Sequence, residues 1–139
     1  MKIHPRQRFS SEVTLTPAMV GAFASTAGDD NPVHHDPTFA ATTRYGRVIA
    51  SGTHTTALLL GLTASHFSKF GFMVGLEFCV QFRRPVFADE TIQMEWLVIK
   101  VSPNEKLNGA IVELRGRIKA QDGQTAVGAK GRVLVADRL

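Results

Sequence analysis

The sequence predicts an α+β fold in which an antiparallel sheet curves around one long central helix. Apolar residues recur at helical spacing in the first half of the chain, and they alternate with polar residues in the second half. Alternation is typical of strands with one buried and one solvated face, and helices grouped ahead of strands favour α+β over alternating βα units. With 139 residues, of which 44% are apolar and 20% charged, the chain is predicted to form a single domain over residues 1–139.

The first predicted helix has recognisable signals at both ends. Thr16 is a candidate N-cap, and Pro17 occupies the first helical position, where proline is favoured. Val20 and Phe23 then lie on one apolar face. Gly28 follows, at a place where a glycine commonly ends a helix, so the helix is predicted to stop just before it.

Two further helices are predicted before the strands begin. The shorter one covers residues 37–43, with Asp36 as its N-cap and a turn at Gly46 after it. The central helix lies within residues 50–67, and its middle has no polar face because it contains Leu58, Leu59, Leu60 and Leu62. A helix that is apolar all round is a buried one, so we expect protein to cover it on every side.

Four strands are predicted in the second half of the chain, beginning near Phe72, Thr91, Ile111 and Thr125. In the clearest of them, Val112 and Leu114 alternate with charged residues. Cys79, in the first of these strands, is interpreted as a core residue rather than a nucleophile. An open antiparallel sheet has exposed edges that associate unless they are paired, so a homodimer or a higher homo-oligomer is expected.

Composition and charge exclude several classes of protein. No basic cluster is interleaved with aromatic residues, and no helix-turn-helix or zinc-finger spacing occurs, so no nucleic-acid partner is predicted. The net charge of +4 and the pI near 9.6 fit either a generally basic surface or a small phosphorylated ligand. We expect no membrane span and no secretory signal, because the apolar runs are too short. The single cysteine favours a reducing compartment, so a cytoplasmic location is predicted.

The stretch GDDNPVHHD, residues 28–36, concentrates titratable groups in a segment too short for a helix. Glycine, aspartate, asparagine and proline all form turns, so a solvated turn is one interpretation. The other is a reactive site in which Asp29 and His34 face one atom, since imidazole exchanges protons near neutral pH. Pro32 stiffens the turn between them and favours an extended conformation at Asn31.

This stretch and its surroundings resemble the signature of the MaoC-like (R)-specific enoyl-CoA hydratases, which have the hot-dog fold. That signature is Gly-Asp-x-Asn-Pro-x-His, followed by a short Ala-containing helix, a Gly-Arg turn and a glycine that opens the central helix. It is matched here by Gly28, Asp29, Asn31, Pro32, His34, Ala40, Gly46, Arg47 and Gly52. Downstream, FRRPVFADE resembles the Phe-x-x-Pro-Val segment of the family. The sequence differs at Ser51, where the family commonly has histidine, and at Ala88, which takes a glycine position.

The resemblance implies a hydratase or dehydratase that interconverts a trans-2-enoyl thioester and an (R)-3-hydroxyacyl thioester. Asp29 and His34 are the implied catalytic residues, which activate water by acid-base chemistry. An enolate develops at the thioester oxygen during this reaction. We expect it to be stabilised by the backbone N–H of Gly52, at the start of the central helix, where the helix dipole favours negative charge.

Three more residues are assigned to the substrate-binding part of the site. Asn31 is expected to hold the loop or a catalytic side chain by hydrogen bonds, and the small residues Ser51 and Thr53 to let substrate approach the backbone. No cofactor is expected, since the acyl-CoA or acyl-carrier thioester is the substrate. No metal is expected either, because the adjacent side chains of residues 34–36 rarely converge on one ion.

Several neighbouring residues compete for these roles. Asp30 and His35 are the immediate rivals of the two catalytic residues, but the motif spacing disfavours both. His54 and His66 lie on the central helix and are interpreted as satisfied core or interface histidines. His54 remains a lower-ranked candidate for the site, because it lies close to its expected entrance.

Two other functions compete with the hydratase. A hot-dog thioesterase is one, although that chemistry more often uses an acidic residue on the central helix, and none occurs between Gly52 and Phe67. A non-catalytic module that binds acyl thioesters is the other. The intact pair of Asp29 and His34 argues against that module, so the hydratase is the leading prediction.

Overall fold

The sheet is the largest part of the computed structural model, which describes residues 3–137. Its strands are β1 (Arg8–Thr14), β2 (Phe72–Phe82), β3 (Thr91–Asn104), β4 (Gly109–Lys119) and β5 (Thr125–Ala136). The helices are α1 (Pro17–Thr26), α2 (Pro37–Ala41) and α3 (Gly52–Phe67), and one turn of 3-10 helix over Pro32–His34 precedes α2. The strands lie in the order β1-β3-β4-β5-β2, with every neighbouring pair antiparallel. The predicted curved antiparallel sheet with a central helix is confirmed.

The sequence does not predict β1, and the expectation that helices precede all strands is wrong. The seven residues of β1 contain only two large apolar side chains, Phe9 and Val13, of which only Phe9 is buried. The strand forms because it pairs along its whole length with β3. Such pairing with a distant segment is a tertiary contribution that a short local pattern does not show.

Side-chain caps start α1 and α2 at the predicted residues. Thr16 Oγ1 accepts a hydrogen bond from the N–H of Met19 at 3.2 Å, and Asp36 Oδ1 accepts one from the N–H of Thr38 at 2.9 Å. Gly28 has a φ of +75°, the left-handed conformation with which a glycine ends a helix. The predicted caps are therefore confirmed, although α2 ends slightly earlier than expected.

One hydrogen bond and one glycine fix α3 on the inner face of the sheet. Trp96 on β3 is fully buried, and its Nε1–H donates to the carbonyl of Leu59 at 2.9 Å. Gly116, opposite Trp96 on β4, leaves room for the indole, because a Cβ there would lie 2.5 Å from the ring. The N-terminus of α3 lies at the end of β2, where Gly52 lies against the ring of Phe82.

The expectation that α3 is buried on every side is wrong for this chain taken alone. Leu59, Thr63 and Phe67 face the sheet and are buried, and the other leucines are partly buried. A stripe of small residues at helical spacing is exposed on the far side, namely Thr53, Ala57, Gly61 and Ala64. The reason is that the sheet covers only one side of the helix.

Cys79 is exposed, so its interpretation as a core residue is wrong. Along β2 it shares a face with Glu77 and Gln81, which are also exposed, whereas Phe78 and Val80 pack towards the core. Alternate residues of a strand point to opposite faces. The position of Cys79 in that alternation decides its exposure, whatever the preference of its side chain.

Candidate active site

The loop after α1 holds Asp29 by three hydrogen bonds. The N–H of Asp29 donates to the carbonyl of Ala24, and its own carbonyl accepts a hydrogen bond from Nε2 of His35, both at 2.8 Å. The N–H of Asn31 donates to Asp29 Oδ1 at 3.0 Å. The backbone and one carboxylate oxygen are thus engaged, which leaves Oδ2 for another partner.

Asn31 and Pro32 direct the chain back towards Asp29. Asn31 is extended, with φ −60° and ψ 117°, as expected for a residue before proline. Its Oδ1 accepts a hydrogen bond from the N–H of Val33 at 3.2 Å and caps the 3-10 turn. His34 is the last residue of that turn, so the cap positions its ring.

The ring of His34 is buried and oriented by the backbone. Its Nδ1 lies 2.8 Å from the carbonyl oxygen of Ile49. Because a carbonyl only accepts hydrogen bonds, Nδ1 must carry the hydrogen, and Nε2 of the neutral ring has a free lone pair. Nε2 faces Asp29 Oδ2 at 3.4 Å. The structure therefore brings together the two predicted catalytic side chains with their acceptor atoms facing each other.

The N-terminus of α3 lies beside this pair. Ser51 is buried and is the N-cap, since its Oγ accepts a hydrogen bond from the N–H of His54 at 3.2 Å. Thr53 Oγ1 donates to Ser51 Oγ at 3.3 Å. Among residues 3–137, no acceptor pairs with the N–H of Gly52 or of Thr53. Such groups in the first turn of a helix are free to bind an anion.

A cleft of about 380 Å³ opens at this point, and both His34 and Gly52 line it. Aliphatic side chains, among them Ile49, Val86 and Val127, form much of the remaining lining. Small-molecule sites are typically concave and mostly apolar, with a few polar groups that orient the ligand. The cleft has these features.

The other predicted site residues lie around the cleft without lining it. Asp29 faces His34, and His34 lines the cleft. Asn31 acts on the loop, Ser51 is occupied as a cap, and the side chain of Thr53 belongs to the exposed stripe of α3. Among residues 51–53, Gly52 lines the cleft.

Sequence reasoning gave no role to five residues that line the cleft: Arg44, Tyr45, Phe82, Arg83 and Arg84. All five come from RYGR and FRRPV, two segments that match the family signature. The ring of Phe82 lies against Gly52, because a Cβ on Gly52 would be 2.9 Å from it. The lack of a side chain at Gly52 therefore leaves room for the ring of Phe82.

Within residues 3–137, His54 and His66 are not fully satisfied by hydrogen bonds, so their interpretation as satisfied core histidines is wrong, and an interface role is not tested. His54 Nδ1 and His66 Nε2 are buried without a partner. Each ring instead stacks on a phenylalanine, with centroid distances of 4.4 Å for His54 on Phe23 and 3.8 Å for His66 on Phe9. Burial lowers the pKa of both, and the nearby charge of Lys69 adds to the lowering of the pKa of His66. His54 does not line the cleft.

Within the described residues, the structure shows neither a group of metal ligands nor a helix that could span a membrane. Within residues 3–137, no three side chains of His, Cys, Asp or Glu are grouped closely enough to hold a metal ion. Among the described helices, none has the length and apolar character needed to cross a bilayer. The candidate site therefore consists of Asp29, His34, the start of α3 and the cleft that they border.

The sequence and the fold are similar to those of proteins with known names. The (R)-specific enoyl-CoA hydratase of Aeromonas caviae is 34% identical over 110 residues, which make up 79% of this chain and 78% of that protein. The solved structure of the (R)-hydratase from A. caviae, described as involved in PHA biosynthesis, has a TM-score of 0.86 at 30% identity, covering 96% of this chain and 98% of that one.

A second solved structure supports the fold. An R-hydratase from Pseudomonas aeruginosa, in its unliganded form, has a TM-score of 0.81 at 24% identity and covers 98% of this chain and 84% of that one. The predicted hot-dog fold is confirmed by these structures, and the prediction of an enzyme of the lyase class, hydratase type, is confirmed by the two A. caviae matches at 34% and 30% identity. The family described as MaoC-like domain matches residues 2–127. The chain belongs to the MaoC-like domain family.

Proposed function

We propose that this protein hydrates trans-2-enoyl thioesters to (R)-3-hydroxyacyl thioesters and catalyses the reverse dehydration. Asp29 and His34 form the acid-base pair, and the N–H of Gly52 binds the thioester oxygen. The observation that carries the proposal is the approach of Asp29 Oδ2 to His34 Nε2 at 3.4 Å, next to a cleft that Gly52 also lines.

The pair is suited to hold one water molecule. With its hydrogen on Nδ1, neutral His34 presents a lone pair at Nε2, and Asp29 presents the free Oδ2. Two acceptors that face each other can each take one O–H of the same water. The lone pairs of that water then point away from both residues, in the direction of a substrate in the cleft.

Proton transfer follows from this arrangement. As the water oxygen bonds to C3 of the enoyl group, its proton passes to His34 Nε2, and the double-bond electrons move to the thioester oxygen. The imidazolium, stabilised by the Asp29 carboxylate, then returns one proton to C2. Water has been added across the double bond, and both side chains regain their starting states. Positioned acid-base groups of this kind contribute about 10²–10⁴-fold in rate.

The start of α3 supplies the electrophilic part of the site. The N–H of Gly52 has no acceptor among the described residues, and the helix dipole favours negative charge there. A donor that is already in place stabilises the enolate more than the ground-state carbonyl, which lowers the barrier. The reaction requires no group beyond the protein, water and thioester, so neither a cofactor nor a metal is part of the proposal. With one cysteine in the chain, we place the enzyme in the reducing cytoplasm.

The edge strand β2 supports assembly as a homodimer. Phe72, Val74 and Leu76 are large apolar residues of this strand that are between 38% and 50% exposed. A long apolar edge strand is a site of association. The exposed stripe of α3 could be covered by the same partner. Because Phe82 at the end of β2 also lines the cleft, separating the subunits should lower activity.

Sedimentation of two variants tests the dimer. Val74→Lys places a charge on the β2 edge and should give a monomer, whereas Ser10→Lys on the β1 edge should leave the dimer intact. A wild-type protein that sediments as a fully active monomer would contradict this assembly.

The activity itself is tested with purified protein and a series of enoyl-CoA and 3-hydroxyacyl-CoA substrates. Hydration is followed by the loss of absorbance of the conjugated thioester, and the configuration of the product is determined by chiral chromatography. Release of free thiol is measured in parallel. Rapid thiol release without hydration would identify a thioesterase and refute the hydratase.

A further inference from the structure

The outer face of the sheet has a depression of about 530 Å³ that is strongly basic. We name it the basic depression and define it by Arg83, Arg115, Arg117 and Lys130, which line it. Its other lining residues are neutral, and no carboxylate among the described residues borders it. The depression therefore concentrates positive charge at one place on the surface.

Two of its cations face each other and form no ion pair within residues 3–137. Arg115 on β4 lies directly opposite Lys130 on β5 in the register. Like charges directly opposite each other destabilise a sheet, and neither residue has an ion pair among residues 3–137. On the same face, Arg117 pairs with Glu95, and Arg132 with Glu77 at 3.6 Å. Glu95 and Glu113 line adjoining depressions together with Arg115, although neither forms an ion pair with it. A bound anion would supply the ion pair that Arg115 and Lys130 lack within residues 3–137.

The basic depression is continuous with the candidate active site. Arg83 lines both the cleft and the depression. Its side chain lies over Gly128 on β5, where a Cβ would be 3.4 Å from Nε. Lys130 is two residues further along the same strand, about 7 Å away at the usual rise of a strand. A ligand that leaves the cleft past Arg83 thus reaches Lys130 and Arg115.

We propose that the basic depression binds the nucleotide phosphates of a CoA thioester whose acyl end occupies the cleft. This inference rests on the proposed function. CoA carries a diphosphate and a ribose phosphate at the far end of its flexible pantetheine arm, and guanidinium groups match phosphate oxygens in geometry and charge. A carrier protein presents a single phosphate on its arm, so a row of cations from Arg83 to Arg115 fits the nucleotide better.

Calorimetry with free CoA and with pantetheine tests the site without any chemistry. Wild-type protein should bind CoA more tightly than pantetheine. The single variants Arg115→Gln and Lys130→Gln should each weaken CoA binding about three- to tenfold, as expected for a charge-assisted contact at an exposed site. Lys106→Gln, in the turn at the opposite end of the sheet, removes the same charge and should leave CoA binding unchanged. In about 1 M salt, where charges are screened within about 3 Å, the variants and the wild type should converge.

Kinetics with crotonyl-CoA and crotonyl-pantetheine separate this inference from the proposed function. The variants at Arg115 and Lys130 should raise KM for the CoA ester more than for the pantetheine ester, with little change in kcat. Failure to hydrate either ester would refute the proposed function, while calorimetry still decides the phosphate site. Equal KM changes for both esters, at normal turnover, would refute the phosphate site alone.

Two other results would overturn the inference. One is an unchanged CoA affinity in both variants. If the melting temperature of these variants also falls, Arg115 and Lys130 have a structural role instead. The other is binding of an acidic carrier protein or an oligonucleotide that depends on these residues while CoA binding does not. Melting temperatures equal to or above that of the wild type are expected, because each variant relieves a contact between like charges.

Discussion

Four histidines occupy two regions of this molecule in opposite ways. In the loop over residues 28–36, His34 and His35 each donate a hydrogen bond of 2.8 Å to a backbone carbonyl. On α3, His54 and His66 lie flat against phenylalanine rings, and each has a buried nitrogen without a partner. The loop orients its imidazoles by hydrogen bonds, whereas the helix packs them as aromatic rings.

This difference indicates which histidines can transfer protons. A ring with one nitrogen fixed to a carbonyl has a known tautomer, and its other nitrogen is available to a reactant. His34 meets both conditions at the edge of the cleft. A ring that is buried in a stack loses solvation when it is charged, so its neutral form is favoured and the ring contributes packing. The loop should therefore govern activity, and the helix histidines should govern stability.

Replacing the pair at the centre of the loop should have the largest effect. Asp29→Asn and His34→Ala should each lower kcat by about 10²–10⁴, because each removes one of the two groups that bind and deprotonate water. Asp30→Asn, next to the pair but exposed, is the matched control and should be nearly normal. Steady-state hydration rates and a thermal melt are the measurements. Activity that survives in both catalytic variants would exclude this pair as the acid-base centre.

Gly52 should give the second largest effect. Gly52→Val places a branched side chain between the N–H of residue 52 and the substrate, and a fall in kcat of about 10²–10³ is expected from the loss of one oxyanion donor. The same side chain would also push the ring of Phe82, since even a Cβ lies 2.9 Å from it. The double variant with Phe82→Ala removes that contact. If the double variant recovers turnover, displacement of the ring caused the loss and the oxyanion is bound elsewhere.

The sequence predicts the geometry of the loop over residues 28–36 better than the packing at the start of α3. The pairing of Asp29 with His34 follows from local turn chemistry, because Asn31, Pro32 and their caps act within a few residues. The contact between Gly52 and Phe82 joins distant segments and depends on how α3 packs on β2. No local pattern contains that information.

The same argument applies to the fold. The helices with strong caps and the strands with long alternation were predictable, because their signals are local. β1 was not, because it depends on pairing with β3. The exposed side of α3 was not predicted either, because the four leucines of its middle indicate a helix that is apolar all round. The positions on the exposed side carry small residues, namely Thr53, Ala57, Gly61 and Ala64.

His35 should give an intermediate effect through Asp29. Its Nε2–H holds the carbonyl of Asp29, so His35→Leu should loosen the loop and lower kcat about three- to tenfold, with KM little changed. His35→Gln, which keeps a donor, should recover part of the loss. The pH profile of kcat should keep its shape, because His35 acts by position and transfers no proton. A Leu variant with normal kcat would show that Ala24 and Asn31 suffice to hold Asp29.

The smallest effect concerns stability and comes from the helix histidines. Burial lowers the pKa of His54 and of His66 in the folded state. As the pH falls, these histidines are therefore protonated in the unfolded chain before they are protonated in the folded chain. Their contribution is therefore complete above about pH 6.5, the usual value for histidine, and it is lost as the pH falls through the lowered folded-state values. His66→Phe keeps the stack on Phe9 without a titrating group, and it should reduce the fall in melting temperature between about pH 8 and pH 5. An unchanged pH dependence in His66→Phe would show that His66 does not resist protonation, and the contrast between loop and helix would then fail at the C-terminal end of α3.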